Sequence, residues 1–452
     1  MRTRRQRLVV VGGDAAGMSA AAQARRLRSA EELEVVVLEQ GADVSYSACG
    51  IPYWVGGLVG GRDELVVRTP AEFAAARVTV HTGTRAEAID LADGSVTSAD
   101  GRRFGYDSLV VATGGRPVRP PVPGLDAEGV HGVHRLDDGA AVRAAIDAGA
   151  RSAVVLGGGY IGLEMAEALQ RRGLAVTIVF ADPLPMQLLD ADMGERVCAA
   201  LVSTGFAVHP DQAVREVLVD EAGRARGVRT DAGSYDADLV VLGLGMGPET
   251  RLAAGAGLAL GPTGALDVDP GQRCRDHPEV LAAGDCAQTV HRITGEAVHV
   301  PLGTHANAQG RVAGSVAAGR PARFPGVLGT ALTRVGELEV ARTGLGITQA
   351  EAAGFAVRGD TIEATTQAGY LPGAAEIAVK LVTEEGSGRL LGAQVVGGPG
   401  AGKRIDVLAT AIWAGMTAED LAGSDLSYAP PFSPTYDPVV VAARAVSRTE
   451  QG

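Results

Sequence analysis

Two glycine-rich stretches and one cysteine are the residues whose type and spacing could do chemistry. Gly157-Gly158-Gly159-Tyr160-Ile161-Gly162 is a full G-x-G-x-x-G. Gly12-Gly13-Asp14-Ala15-Ala16-Gly17 keeps the first and last glycines but carries Asp14 at the middle position. Such loops let a backbone approach a pyrophosphate, which then rests on the positive end of the following helix. In a chain with 63 glycines one such loop arises by chance. Two, each between an apolar strand and a helix, read as two dinucleotide sites, with ligand-free tight turns as the alternative. Asp14 is tolerable beside a pyrophosphate only if its side chain turns away. The thiol is Cys49, in Ser45-Tyr46-Ser47-Ala48-Cys49-Gly50-Ile51-Pro52-Tyr53. Cys198, Cys274 and Cys286 are scattered, no pair has metal-ligand spacing, and those three read as structural.

The elements that must position these residues follow from periodicity. Leu8 to Val11 is a buried strand leading into the first loop, followed by an alanine-rich helix through Leu27. A second strand, Glu34 to Leu38, ends in Glu39, about twenty positions after Gly17, where a dinucleotide ribose requires an acid. The second unit repeats the plan: strand Ala153 to Leu156, loop, a helix from Leu163 to about Arg172, and strand Ala175 to Phe180. A third, weaker signal is Val280 to Ala283 running into Gly284-Asp285. Beyond about Pro325 the pattern changes to strands at Glu337 to Ala341, Glu376 to Thr383 and Leu390 to Val396, with a hairpin turn at Ser387-Gly388. A helix from Ile405 to Ala414 follows, with Trp413 placed in the core. The fold class expected is α/β: two Rossmann-like dinucleotide-binding domains plus a C-terminal α+β domain.

Composition narrows the function classes. A chain of 452 residues needs several domains, and a net charge of −12 argues against a nucleic-acid partner. No apolar run is long enough to span a bilayer, and Asp14 interrupts the short run after the N-terminal arginines that could mimic a signal peptide. Scattered cysteines fit a reducing compartment, so a cytoplasmic protein with no metal site is expected.

Taken together, the two fingerprints, the strand Leu109 to Gly114 and Gly284-Asp285 resemble the pyridine nucleotide–disulfide oxidoreductases, collinearly over nearly the whole chain. The resemblance implies FAD binding by residues 1–118 and 250–325, NADH or NADPH binding by an inserted 119–249, and dimerisation through 326–452. It assigns FAD contacts to Gly12, Ala15, Ala16, Gly17, Glu39, Ala112, Thr113, Gly114, Gly284, Asp285, Pro301, Leu302 and Thr304. The nicotinamide dinucleotide falls to Gly157, Gly159, Tyr160, Ile161, Gly162 and Asp182, with Tyr160 as an aromatic gate over the flavin and Glu164 facing flavin and nicotinamide. The strand Ala175 to Phe180 ends with neither the acid expected for NADH nor the arginine expected for NADPH. The expectation is a weakly discriminating site with Phe180 packed on adenosine; the competing account gives Asp182 the ribose.

The branch follows from Cys49. No second cysteine lies five positions away, so Cys-Gly-x-Pro-Tyr resembles the single-cysteine branch: coenzyme A-disulfide reductases, persulfide and polysulfide reductases, and NADH oxidases and peroxidases. A lone thiol must cycle through a mixed disulfide, a persulfide or a sulfenic acid. A helix start beside it is expected to favour its thiolate. Ala15 stands where peroxidases and many oxidases carry a histidine. Gln23-Ala24-Arg25-Arg26-Leu27 resembles the helix that meets coenzyme A phosphates, with a solvated helix face as the alternative. Gln23, Arg26, Ser45, Asn307 and Arg311 are therefore the substrate-binding candidates. Tyr428, in a Tyr-Ala-Pro-Pro-Phe signature, and Tyr370 are the alternative proton donors, reaching the partner's site in a homodimer; Leu371 replaces the tyrosine that relatives often pair with Tyr370. The resemblance implies reduction of a small disulfide or persulfide such as coenzyme A disulfide. Alternatives are an NADH oxidase and a slow-turnover flavin redox sensor.

Overall fold

A computed structural model describes residues 4–450, with side chains through residue 447. Leu8 to Val11 and Leu33–Leu38 are apolar on both faces, as strands covered on both sides must be. They lie parallel at the centre of a six-stranded sheet. Its order is Arg273–Cys274, His277–Ala282, Ser108–Val111, Gln6–Val11, Leu33–Leu38 and Thr79–His81. The chain leaves this sheet after Val111 and re-enters it at Arg273. Between those points it builds a second, all-parallel sheet: Ala207–His209, Ala175–Val179, Ser152–Leu156, Leu239–Leu242 and Val130–Gly132. The outgoing and returning chain pair antiparallel, Gly115–Pro117 with Met246–Pro248.

The helix Ala15–Leu27 packs against Gly303–Ala317 through small residues. A Cβ at Gly310 or Gly314 would fall 2.2 Å from the carbonyl oxygen of Ala16 or Ala20. Two glycines one turn apart thus permit backbone contact between the helices that flank the first loop.

The C-terminal domain is a five-stranded antiparallel sheet: Ala331–Val335, Leu338–Gly344, Leu390–Gly397, Glu376–Glu384 and Val357–Thr365. Helices Ile405–Ala414, Ala418–Ala422 and Pro438–Glu450 cover one face. Val335, Val340, Ala378 and Val396 join a different core, shared with the second parallel sheet and with Ile51, Trp54 and Val55 just after Cys49. Buried Lys380 reinforces this seam, its Nζ 2.6 Å from Asp192 and 3.2 Å from Asp190, which both belong to the second module. Three parts of the chain therefore meet around Cys49.

Trp413 departs from expectation. It is 44% exposed, with the Arg292 guanidinium stacked 3.7 Å from its ring centroid. Ile405, Leu408 and Ile412 supply the inner face of that helix, and Trp413 falls one position beyond it. The helix after the second glycine loop also begins earlier than expected, at Tyr160, because Gly159 itself is its N-cap.

Candidate functional site

The two glycine loops are built alike. A Cβ on Gly17 would sit 1.9 Å from the Gly12 carbonyl oxygen, and one on Gly162 would sit 2.1 Å from that of Gly157. Gly12 and Gly157 adopt positive φ and lie against Ala112 and Gly243 respectively. First and last positions are thus glycine for steric reasons internal to the protein. The middle position differs: a Cβ on Gly159 meets no atom within 4 Å, and both Gly159 and Asp14 are extended. Asp14 therefore fits without strain. Its Oδ1 accepts from the Tyr46 amide at 3.2 Å, which fastens the first loop to the segment carrying Cys49. Burial, with nearby Glu39 and Asp285 adding to it, pushes its carboxyl up to about 7.

Glu39 closes the strand Leu33–Leu38, and its carboxylate accepts from the Gly13 amide at 2.7 Å and the Gly41 amide at 2.6 Å. Asp285 is held in the turn after His277–Ala282, and burial raises its carboxyl. No donor among the described residues bonds that carboxylate, as suits a group meant for a ligand hydroxyl. Ala112, Thr113 and Gly114 follow the strand Ser108–Val111, and the Thr113 hydroxyl donates to the Glu249 carbonyl at the junction with the returning chain. Pro301, Leu302 and Thr304 lead into the helix Gly303–Ala317, with Leu302 as its N-cap. A glycine cradle, a ribose acid and a second unpartnered acid at one sheet edge fit a dinucleotide such as FAD.

In the second module Ile161 and Gly162 begin the helix Tyr160–Arg171. The Tyr160 hydroxyl is buried without a partner, and Arg342 of the C-terminal domain is close enough to act on it electrostatically. Phe180 contradicts the expectation of a ring packed on adenosine. It is 4% exposed, and its ring lies 3.1 Å from where a Cβ on Gly158 would be, so it supports the glycine loop from below. Asp182, two residues on, is the acid at this strand end, and Gln187 donates to it.

Cys49 lies in the 3-10 turn Ala48–Gly50, directly before the short helix Ile51–Val55. Arg143 and Arg172 of the second module donate to the carbonyls of Trp54 and Val55, satisfying that helix's C-terminus. The thiol does not have the lowered pKa expected of a helix start. The cysteine is exposed on its outer side, yet the protein packed against its inner side pushes the thiol up, and Glu164, Asp14 and Asp285 add to the effect in that order. A five-residue helix does not offset burial reinforced by three carboxylates. Glu164 is itself raised by burial, with Glu167 contributing, while a hydrogen bond from Thr333 lowers it. Cys286 bonds the carbonyls of Val111 and Ala283 and is packing. Cys274 is buried in the same core cluster as Cys286.

The substrate candidates lie along the two packed helices. Gln23 donates to Ser315 and accepts from Arg26 at 2.6 Å; Asn307 accepts from Ser19 and donates to the Gly303 carbonyl. Gln23 and Arg311 line a groove of about 710 Å³ that continues to Asp406 and Trp413. Ser45, in the left-handed region at φ 50°, turns the chain toward Cys49. Tyr370 and Tyr428 do not join Cys49 of their own chain. They are 76% and 50% exposed on neighbouring loops of the C-terminal domain, joined by the Ala368 amide bonding the Pro430 carbonyl. Arg404 also holds both loops, donating to the carbonyls of Thr366 and Phe432 and pairing with Asp437. Neither Arg404 nor Thr333 stands out in the sequence, since each lies in an ordinary-looking segment.

A family model for pyridine nucleotide-disulphide oxidoreductases matches residues 6–310, and one for that family's dimerisation domain matches residues 330–439. The chain belongs to this family. It is an FAD-dependent oxidoreductase that uses a nicotinamide dinucleotide, with a C-terminal dimerisation domain. Among its relatives, a protein of Pyrococcus abyssi named NAD(P)H sulfur oxidoreductase (CoA-dependent) is 38% identical over 97% of this chain and 98% of its own length. An NADH oxidase of Methanocaldococcus jannaschii is 35% identical over 97% of this chain and 98% of its own. The structure of an NAD-dependent persulfide reductase from A. fulgidus superposes with a TM-score of 0.94 at 38% identity, covering 99% of this chain and 84% of that one. Among the described residues no helix is long and apolar enough to cross a membrane.

Proposed function

We propose that this oxidoreductase reduces a low-molecular-weight disulfide or persulfide, with coenzyme A as the thiol, and that Cys49 is its one redox cysteine. The observation that carries the reading is the placement of Cys49: open to the outside, within electrostatic reach of Glu164 where the three parts of the chain meet, and without a disulfide partner. Bound FAD supplies the two-electron relay between nicotinamide and thiol. The Cys49 thiolate attacks a disulfide RSSR, forming Cys49–S–SR and releasing RS⁻. Two electrons and a proton then release the second thiol and return Cys49 as a thiolate, so the sum is NAD(P)H + H⁺ + RSSR → NAD(P)⁺ + 2 RSH.

The names of relatives support coenzyme A, as does the groove that Gln23 and Arg311 line beside the exposed Arg26. We assign the FAD and nicotinamide contacts as the resemblance gives them, with Asp182 as the acid for the adenosine ribose. Bounds near 118 and 249 are supported by the pairing of the outgoing and returning chain, Gly115–Pro117 with Met246–Pro248, and a bound near 325 by the C-terminal sheet opening at Ala331. The exposed Tyr370 and Tyr428 support a homodimer in which one protomer offers a phenol to its partner's Cys49, as a proton donor to the departing thiolate. A cytoplasmic location belongs to the same reading. The relative named NADH oxidase keeps a second reading open, in which Cys49 cycles through a sulfenic acid and oxygen is the acceptor.

Steady-state assays of the purified flavoprotein with NADH and NADPH, against coenzyme A disulfide, polysulfide and oxygen, separate the two. Faster turnover of the sulfur substrates, lost in Cys49→Ser, supports the proposal. Oxygen as the preferred acceptor overturns it.

A further inference from the structure

The strand Ala331–Val335 alternates as an edge strand should. Leu332 is 42% exposed, whereas Thr333 and Val335 point inward at 4% and 3%. Packing asks only for a small β-branched group at position 333, and a valine would fill the same space. The hydroxyl is the extra feature. It donates to Oε1 of Glu164 at 2.7 Å, joining the dimerisation domain to the helix that follows the second glycine loop. Among the described residues no other donor bonds the Glu164 carboxylate, so this is the hydrogen bond that orients it within its packed surroundings. Next to burial, the Glu164 charge is the strongest influence on both Cys49 and Tyr53.

We propose that Thr333 is a positioning residue for the redox centre, its hydroxyl holding the Glu164 carboxylate in the orientation from which that charge bears on Cys49. The inference rests on Cys49 being the redox thiol, but it concerns a different link, from Thr333 through Glu164 to the sulfur. Several groups face these two residues. Around Glu164 stand Glu167, Arg171 and Tyr160 from its own helix, Tyr53 from the segment after Cys49, and Arg334 from the strand of Thr333. Around Cys49 stand Glu164, Asp14 and Asp285. The signs follow from charge. While Glu164 is ionised it suppresses the Cys49 thiolate. As pH falls and Glu164 takes up a proton, that suppression lifts. Below this point Cys49 keeps more thiolate than extrapolation from higher pH predicts. A hydrogen bond to the ionised carboxylate favours that form, so losing it moves the point of protonation upward.

The test is the rate of Cys49 alkylation by iodoacetamide in the flavin-loaded protein, measured from pH 4 to 10 and quantified on the Cys49 peptide by mass. The parent should show an inflection that disappears in Glu164→Gln, which should also alkylate faster at every pH above it. Asp14, pushed up to about 7, and Asp285 leave inflections of their own that persist in that variant. Thr333→Val should move the Glu164 inflection up by about one pH unit, the tenfold effect of losing a charge-assisted hydrogen bond. Thr333→Ser should restore it, and Thr333→Ala serves if the valine variant does not fold. An unmoved inflection in the valine or alanine variant, or a Glu164→Gln variant with the parent's profile, overturns the proposal. Alkylation needs no turnover. If Cys49→Ser keeps full disulfide reductase activity, the functional reading fails and the link from Thr333 to Cys49 is still judged on its own.

Discussion

Nicotinamide selectivity is where the structure changes an expectation most sharply. Phe180 occupies the strand end where an acid selects NADH, but its ring is buried beneath Gly158 and offers adenosine no face. Asp182, two residues further on, is then the carboxylate we assign to the ribose. The segments 180–190 and 207–213, which flank this strand end, contain no lysine or arginine to neutralise a 2′-phosphate. NADH should therefore be preferred. Two ribose hydroxyls can donate to Asp182, although Gln187 already donates to it and must yield part of its place. Each charge-assisted bond contributes about 1.5–3 kcal/mol, so replacing Asp182 with alanine should raise the KM for NADH roughly ten- to a hundredfold. NADPH should be little affected, or bind better once the carboxylate no longer repels its phosphate. The assay is stopped-flow reduction of the flavin by each nucleotide in parent and Asp182→Ala protein. A parent that prefers NADPH, or an NADH:NADPH ratio unchanged in the variant, would refute the reasoning.

Other consequences are as specific. Cys49→Ser should abolish disulfide reduction while leaving flavin reduction by NAD(P)H within about twofold of the parent's rate, since no other described cysteine bears on that site. Gly162→Ala drives a methyl to 2.1 Å from the Gly157 carbonyl oxygen; nicotinamide dinucleotide binding, followed by titration, should fall at least tenfold while FAD content stays at that of the parent. Arg404→Met removes one half of a buried ion pair and frees the loops of Tyr370 and Tyr428. Denaturant unfolding should report a loss of about 3–5 kcal/mol, and a loss under 1 kcal/mol would mean the pair does not hold those loops.

Much of this was legible in the sequence, because local rules govern it. The two strand–loop–helix units, Glu39 and the later block of strands follow from apolar periodicity and from glycines that no other residue can replace. The strand ends near Val396 and Thr383 and the helix Ile405–Ala414 follow from the same periodicity. Tertiary context decided the rest. Burial pushes the Cys49 thiol up, and Glu164, Asp14 and Asp285, all remote from it in sequence, add to that, so a rule about helix starts could not give its direction. Phe180 fills the underside of the glycine loop, a contact with Gly158 that the strand's own residues do not announce. Asp14 has the Tyr46 amide as a donor, a partner 32 positions away that the loop sequence does not reveal. Thr333 and Arg404 could not be found at all, because a threonine in a strand and an arginine before a helix carry no signal without their partners.

The account depends above all on Cys49 taking a substrate thiol covalently. The most direct measurement is the mass of the Cys49 peptide after the prereduced protein is mixed anaerobically with coenzyme A disulfide and quenched under acid. The account predicts a coenzyme A adduct on Cys49 and on no other cysteine, removed when one equivalent of NADH is added before quenching. An unmodified Cys49, with coenzyme A disulfide nonetheless consumed at the expense of NADH, would contradict it.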